Sequence, residues 1–183
     1  MSRQNAGGTR DRILVTAREL FATHTYRAAT MRELAERLGI TKPSLYHHFA
    51  SKSEILESLI SAPIEQLAAA VDAAAQSPDP EEVRRRVLQG CIAVIVEHRD
   101  VMKLLFRDAS VYSDDSTRVV DRVVVTVERS IDLLAGPDAD WRRRLRAAQA
   151  FAAATDPIGQ FLDAPEDELR AELYLGAMRV LDG

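Results

Sequence analysis

The side chains best equipped for chemistry lie in TKPSLYHHFASKSEIL, Thr41 to Leu56. Here a tyrosine, two adjacent histidines and two of the chain's three lysines fall within eleven positions. Such residues serve metal ligation, catalysis or recognition of another molecule. Ligation fails on geometry. Neighbours on a helix diverge by about 100°, whereas two histidines sharing an ion need i, i+4 spacing. His24 and His98 stand alone, and no carboxylate lies at ligand spacing. Catalysis lacks its parts, since there is no G-x-S-x-G elbow, no glycine-rich phosphate loop and no nucleophile beside a base. The reading is therefore a non-enzyme with no catalytic or metal-binding residue and no cofactor. Recognition is what remains.

The elements that must position these residues are helices. Beta-type alternation is absent, and even the valine-rich stretch Val119 to Ile131 fits a helical stripe better than a strand. Thr9 is placed to cap a first helix whose apolar face is Ile13, Leu14, Ala17, Leu20 and Phe21. HTYRA, His24 to Ala28, breaks it. Thr30-Met31-Arg32-Glu33 is a capping box, followed by a short helix with Leu34, Ala35 and Leu38 inward. Gly39 sits where a left-handed residue stops a helix. Thr41 caps the next one, with Pro43 in its first turn, where a missing N–H costs nothing. Ser51 to Glu54 forms a second capping box, opening a helix with Ile55, Leu56, Leu59 and Ile60 inward. Two short helices joined by a tight turn between longer ones make a helix-turn-helix.

On a helical wheel, Leu45 and Phe49 point inward. Pro43, Tyr46 and His47 cluster on the opposite face, flanked by Lys42 and Ser44. Cationic and hydrogen-bonding groups beside a flat ring suit a helix laid in the DNA major groove. Lys42 can donate to guanine or phosphate, and Thr41 and Ser44 can bond either. Tyr46 and His47 can contact phosphate or stack on sugar and thymine methyl groups. His48, nearer the inner face, reads as structural.

Ala29 to Leu56, ATMRELAERLGITKPSLYHHFASKSEIL, closely resembles the N-terminal helix-turn-helix of TetR-type transcriptional regulators. The likeness rests on Thr30, Leu34-Ala35, Leu38-Gly39-Ile40-Thr41, Pro43, Leu45-Tyr46, His48-Phe49 and Lys52. Thr25 departs from the family pattern, which favours glycine there. The resemblance implies that Arg32, Thr41, Lys42, Ser44, Tyr46 and His47 face DNA, and that Thr30, Tyr46 and Lys52 contact phosphates. It also implies a homodimer on a double-stranded operator, and a small-molecule effector bound between the middle helices, where Cys91, Ile95, His98, Met102, Phe106 and Tyr112 are candidates. It further implies dimer-forming final helices.

The charge distribution agrees. Residues 1–60 carry nine Lys and Arg against six Asp and Glu, while residues 61–183 carry fifteen against twenty-two. A basic module on an acidic remainder suits a nucleic-acid partner. No apolar run is long enough to span a membrane and the N-terminus lacks a signal-peptide core, so a cytoplasmic protein with no membrane partner is expected. One cysteine, Cys91, fits a reducing compartment.

The expected architecture is all-α: an arm at 1–8, the DNA-binding domain at 9–62, and a helical effector-binding and dimerisation domain at 63–183. Pro63, QSPDP (Gln76 to Pro80), Ser113 to Ser116, Gly136 to Asp140 and Asp163 to Pro165 punctuate the last part. The final helices are expected at Trp141 to Leu162, kinked at Pro157, and at Glu166 to Leu181. Leu145, Ala148, Ala152, Leu169, Leu173, Ala177 and Val180 are the expected dimer contacts. The functional expectation is a repressor released from a palindromic operator by its effector. The rivals are an activator, or a protein-interaction module that no longer uses the helix-turn-helix this way.

Overall fold

A computed structural model describes residues 8–107 and 118–183, with the side chains of 105–107 and 118–120 outside the described set. Among the described residues there are helices and no strands. The order is α1 (Thr9–Thr23), α2 (Met31–Leu38), α3 (Lys42–His48), α4 (Lys52–Ala74), α5 (Pro80–Glu97), α6 (Arg99–Arg107), α7 (Arg118–Ala135), α8 (Trp141–Thr155), a 3₁₀ segment (Asp156–Gln160) and α9 (Glu166–Asp182).

The short helices begin and end where local chemistry puts them. The Thr30 hydroxyl accepts from the Glu33 N–H at 3.1 Å, and that of Thr41 from the Ser44 N–H at 3.3 Å. Gly39 has φ 65° and ψ 30°. The N–H of Ile40 reaches the Ala35 carbonyl and that of Gly39 the Glu36 carbonyl, the double closure of a Schellman turn. At α4 the Ser51 hydroxyl accepts from the Glu54 N–H, while the Glu54 carboxylate accepts from the Ala50 N–H at 2.6 Å. The expected cap of α1 is displaced by one residue: Gly8 is the N-cap, no side chain closes that turn, and Thr9 is already helical.

Two prolines differ from expectation in opposite ways. Pro63 lies inside α4, which runs unbroken from the helix-turn-helix into the C-terminal part. An interior proline costs about 3 kcal/mol. Ile60, Ile64, Leu67 and Val71 are all buried around it, and their burial offsets that cost. The expected boundary at residue 62 therefore falls within a continuous helix. Pro157 stops a helix rather than kinking it. α8 ends at Thr155, whose hydroxyl bonds the Phe151 carbonyl at 3.0 Å, and the chain tightens into the 3₁₀ segment.

The C-terminal helices pack side by side, with α8 against α9 and α4 against α5 the most extensive pairs. α5 is buried on several sides through Leu88, Cys91, Ile92, Val94, Ile95 and Val96. Gly90 lets it approach α4 closely, since a Cβ there would stand 3.0 Å from that of Ala70.

Candidate nucleic-acid interface

α3 is held from within. Leu45 and Phe49 are buried against the core that Leu34, Ala35 and Leu38 of α2 also enter. The rest of the helix faces outward: Thr41, Lys42, Pro43 and His47 are exposed, Tyr46 is 50% exposed, and Ser44 is half-buried. Five of the six residues expected to read DNA from Thr41 to His47 are thus accessible, with half-buried Ser44 at their flank. His48 is half-buried, its ring set edge-on to that of His47 at 5.6 Å.

Two expected contact groups on α2 have partners of their own. The Thr30 hydroxyl spends its acceptor side on the cap, leaving its O–H free to donate to a phosphate. Arg32 is exposed and donates to Glu36 at 2.8 Å, and that hydrogen bond holds the guanidinium above its ordinary pKa. Turning Arg32 to DNA means exchanging one exposed carboxylate for phosphate, a small cost in water.

Lys52, expected to contact a phosphate, is held by the backbone of the α1–α2 connection in this structure. Its ammonium donates to the carbonyls of Tyr26 at 2.7 Å, Ala29 at 2.9 Å and Arg27 at 3.3 Å, and lies 4.4 Å from the centre of the Tyr26 ring. An ammonium has three N–H donors, and three carbonyls take them. Lys52 ties the α1–α2 connection to the start of α4. In that connection Thr25 fills the place where glycine was expected without a left-handed backbone, and its hydroxyl accepts from the Ala28 N–H.

Sequence reasoning missed two contacts made by arginines of α1. Arg10 lies over the Phe49 ring at 4.5 Å and donates to Ser58. Arg18 of α1 pairs with Asp100 of α6 at 2.8 Å, joining the helix-turn-helix to the C-terminal helices. Both contacts span long sequence separations, so no local pattern marks them.

Of the candidate effector residues, the structure describes the side chains of Cys91, Ile95, His98 and Met102. Cys91, Ile95 and Met102 are packed in the core. Burial pushes the Cys91 thiol up to about 12, against a smaller opposing effect of its hydrogen bond with Ser130. His98 ends α5 and meets Gln66 of α4 at 2.9 Å in a partly exposed position. The Phe106 side chain and Tyr112 lie outside the described residues, as does the segment Ser113 to Ser116. Open space is found elsewhere. A cavity of about 540 Å³ lies between Ser77–Val83 and Asp132–Ala139, and one of about 370 Å³ is lined by Ala153, Pro157, Phe161 and Leu173.

The expected dimer contacts divide. Leu169, Leu173 and Ala177 are buried within one protomer, where α9 packs on α8 and α5, so they belong to its core. Leu145 is 50% exposed, and Ala148, Ala152 and Val180 are half-buried. Exposed Trp141 continues the Leu145 stripe of α8, and Leu175 is 44% exposed on α9 beside Gly176. The signal for Trp141 was its i, i+4 spacing from Leu145.

Among the described residues no helix is long and apolar enough to cross a membrane. Residues 13–59 match the family model for bacterial regulatory proteins of the tetR family. The HTH-type transcriptional activator FasR of Mycolicibacterium smegmatis is 33% identical over 89 residues, covering 49% of this chain and 41% of FasR. The HTH-type transcriptional repressor KstR2 of Mycobacterium tuberculosis is 45% identical over 51 residues, covering 28% of this chain and 26% of KstR2. The matched segments thus span less than half of these curated relatives. Among solved structures, the TetR-family regulator PfmR of Thermus thermophilus superposes with a TM-score of 0.71 at 26% identity, over 94% of this chain and 98% of its own. KstR2 itself superposes with a TM-score of 0.76 at 23% identity, over 98% of this chain and 96% of its own, which is a likeness of fold.

Proposed function

With residues 13–59 identified as a TetR-family helix-turn-helix, we propose that the chain is a homodimeric, sequence-specific DNA-binding regulator that represses from a palindromic operator and is released by a small molecule. The observation that carries this reading is the face of α3. Thr41, Lys42, Pro43, Tyr46 and His47 stand outward together while Leu45 and Phe49 fix the helix from behind. Ser44 lies beside them, and Thr30 and Arg32 extend the same function to the start of α2. The chain works as a reader of DNA rather than an enzyme, and it acts in the cytoplasm, where its operator is.

The dimer follows from the operator. A two-fold site needs two reading helices about 34–36 Å apart. Exposed Leu145 and Leu175, with small residues Ala148, Ala152 and Gly176 beside them, support α8 and α9 as the pairing face. The effector acts through the C-terminal domain by favouring a different spacing of the two α3 helices. About 1–3 kcal/mol of coupling suffices for a 5- to 150-fold change in operator affinity. Continuous α4 and the Arg18–Asp100 pair are the routes by which the two parts feel each other. FasR, named an activator, favours a second reading in which the same DNA contacts recruit rather than block. A reporter driven from the selected site separates the two by the sign of its change.

The test is selection of bound duplexes from a random pool at physiological salt, with wild type, Tyr46→Ala and Lys42→Ala in parallel. The expected outcome is a palindrome enriched by wild type and lost with Tyr46→Ala. Lys42→Ala should relax preference at one position at a cost of about 1–3 kcal/mol. Equal loss on cognate and random DNA would remove Lys42 from base reading, and no enrichment by wild type would overturn the proposal.

A further inference from the structure

Five helix ends and turns meet at one pole of the C-terminal domain: the first turns of α5 and α8, the last turns of α7 and α9, and the α7–α8 turn. A pocket of about 320 Å³ opens there, lined by Arg84, Arg143, Arg146, Leu134, Ala135, Leu181 and Asp182. Three of its seven lining residues are arginines and one is acidic, so the pocket is positive inside a C-terminal part that is negative as a whole.

The Arg84 and Arg143 guanidiniums converge, and Arg146 lines the same pocket. A Cβ placed on Gly136 would stand 3.2 Å from Arg143 Nη2 and 3.7 Å from Arg84 Nη2, so those two nitrogens lie within 6.9 Å of each other. Arg84 is committed, donating from Nε to the Leu134 carbonyl at 3.0 Å and from Nη1 to Glu81 at 2.9 Å. Its Nη2 is the part aimed at Gly136. Neither the Arg143 nor the Arg146 guanidinium has a hydrogen-bond or ion-pair partner among the described residues, although Asp182 lines the same pocket. Neighbouring Arg144 differs, since it is paired with Asp132 outside this pocket.

Arginines gathered at the ends of α7 and α9 have an ordinary use, which is to answer those helices' terminal carbonyls. Arg84 serves it. Arg143 and Arg146 do not bond those carbonyls, yet they face the same space as a third guanidinium. The charges of Arg84 and Arg143, held this close, repel, and an oxyanion beside them removes the repulsion while offering several acceptor lone pairs to planar N–H forks, that of Arg146 among them. We infer that Arg84, Arg143 and Arg146 form a binding pocket for the oxyanion of a small molecule, a carboxylate or a phosphate. This stands apart from DNA recognition, and its test needs no DNA.

Trp141, the chain's one tryptophan, begins α8 two residues before Arg143 and stacks with Arg142 at 4.4 Å. It reports on that turn. The full chain is titrated with inorganic phosphate at constant ionic strength, chloride replacing phosphate in the control, with tryptophan fluorescence and calorimetry read in parallel. The expected result is saturable binding, weakened at least tenfold in R143Q/R146Q and unchanged in R85Q, whose guanidinium lies outside the pocket. Helical circular dichroism verifies that each variant is folded. Phosphate displaced by acetate extends the ligand class to carboxylates, whereas phosphate binding that acetate leaves untouched narrows it to phosphate esters. Saturation that is absent by both methods in wild type, or undiminished in R143Q/R146Q, overturns the proposal.

Discussion

Helices α2 and α3 are eight and seven residues long, and each begins at a threonine hydroxyl that closes its first turn. α4 and α5 are twenty-three and eighteen residues long, and they lie against each other with α7, α8 and α9 around them. Helices shorter than about 12–15 residues are marginal alone in water. The reading helix and its neighbour therefore depend on caps, one left-handed glycine and a few buried side chains. The C-terminal helices draw instead on broad apolar contact. Stability in the first region is concentrated in single residues, and in the second it is spread over many.

The largest expected effect tests that concentration at Lys52. Lys52→Met keeps length and apolar reach but removes the donors to Tyr26, Arg27 and Ala29 and the cation over the Tyr26 ring. Charged hydrogen bonds are worth about 1.5–3 kcal/mol each, and orphaned carbonyls add a penalty. A loss of about 3 kcal/mol is expected, seen as a lower unfolding midpoint and as faster amide exchange in α1 to α3 than in α5. A phosphate contact would behave otherwise: stability would hold and the salt slope of DNA binding would fall by about one. That second pattern would break the comparison.

What could be read from the sequence divides along the same line. Thr30, Gly39, Thr41 and Pro43 act on residues three to five positions away, so their meaning is local, and each does what its spacing predicts. The outward face of α3 follows from them and from Leu45 and Phe49. Lys52 reaches carbonyls more than twenty positions back, and nothing near it in sequence announces this. After α8 ends at Thr155, the 3₁₀ segment that holds Pro157 lies against α6, more than fifty positions back, and no local pattern announces that contact. Leu169, Leu173 and Ala177 fit a dimer stripe as well as a core stripe on a wheel. Only the packing of α9 on α8 and α5 assigns them to the protomer. The arginine pocket combines residues sixty positions apart, and it was invisible for that reason.

Two glycines sharpen the comparison at about 1 kcal/mol. A Cβ on Gly39 or on Gly176 would meet nothing within 4 Å, so sterics with neighbours do not distinguish them. Backbone does. Gly39 has φ 65°, where an L side chain costs about 1–2 kcal/mol. Gly39→Ala should therefore lower stability by that amount, and Gly39→Asn by less, because asparagine tolerates this conformation. Gly176 is helical within α9, where alanine is favoured over glycine by about 0.5–1 kcal/mol. Gly176→Ala should raise the unfolding midpoint of dilute protein. If α9 pairs with its copy through Gly176, the same change weakens the dimer, read by sedimentation at a series of concentrations. A destabilised protomer would overturn the assignment of Gly176 to a free helical face.

The smallest effect concerns the ion pairs that link α4 to α7. Arg122 meets Glu65 at 3.4 Å and Arg129 meets Asp72 at 3.0 Å, all four side chains about half exposed. They form two rungs one heptad apart on each helix, a regularity that looks as if it clamps the helices together. Energetics argue against that appearance. Exposed pairs gain about 0.2–1 kcal/mol, and salt screens them with a Debye length of about 8 Å at physiological strength. Arg129→Gln should cost no more than about 0.5 kcal/mol, and less in 0.5 M salt. The donors of Lys52 differ because one ammonium meets three carbonyls of the α1–α2 connection, two of them part-buried, whereas α4 and α7 keep their apolar contact when a rung is removed. A loss from Arg129→Gln comparable to that from Lys52→Met would mean that the C-terminal domain, too, hangs on single polar contacts.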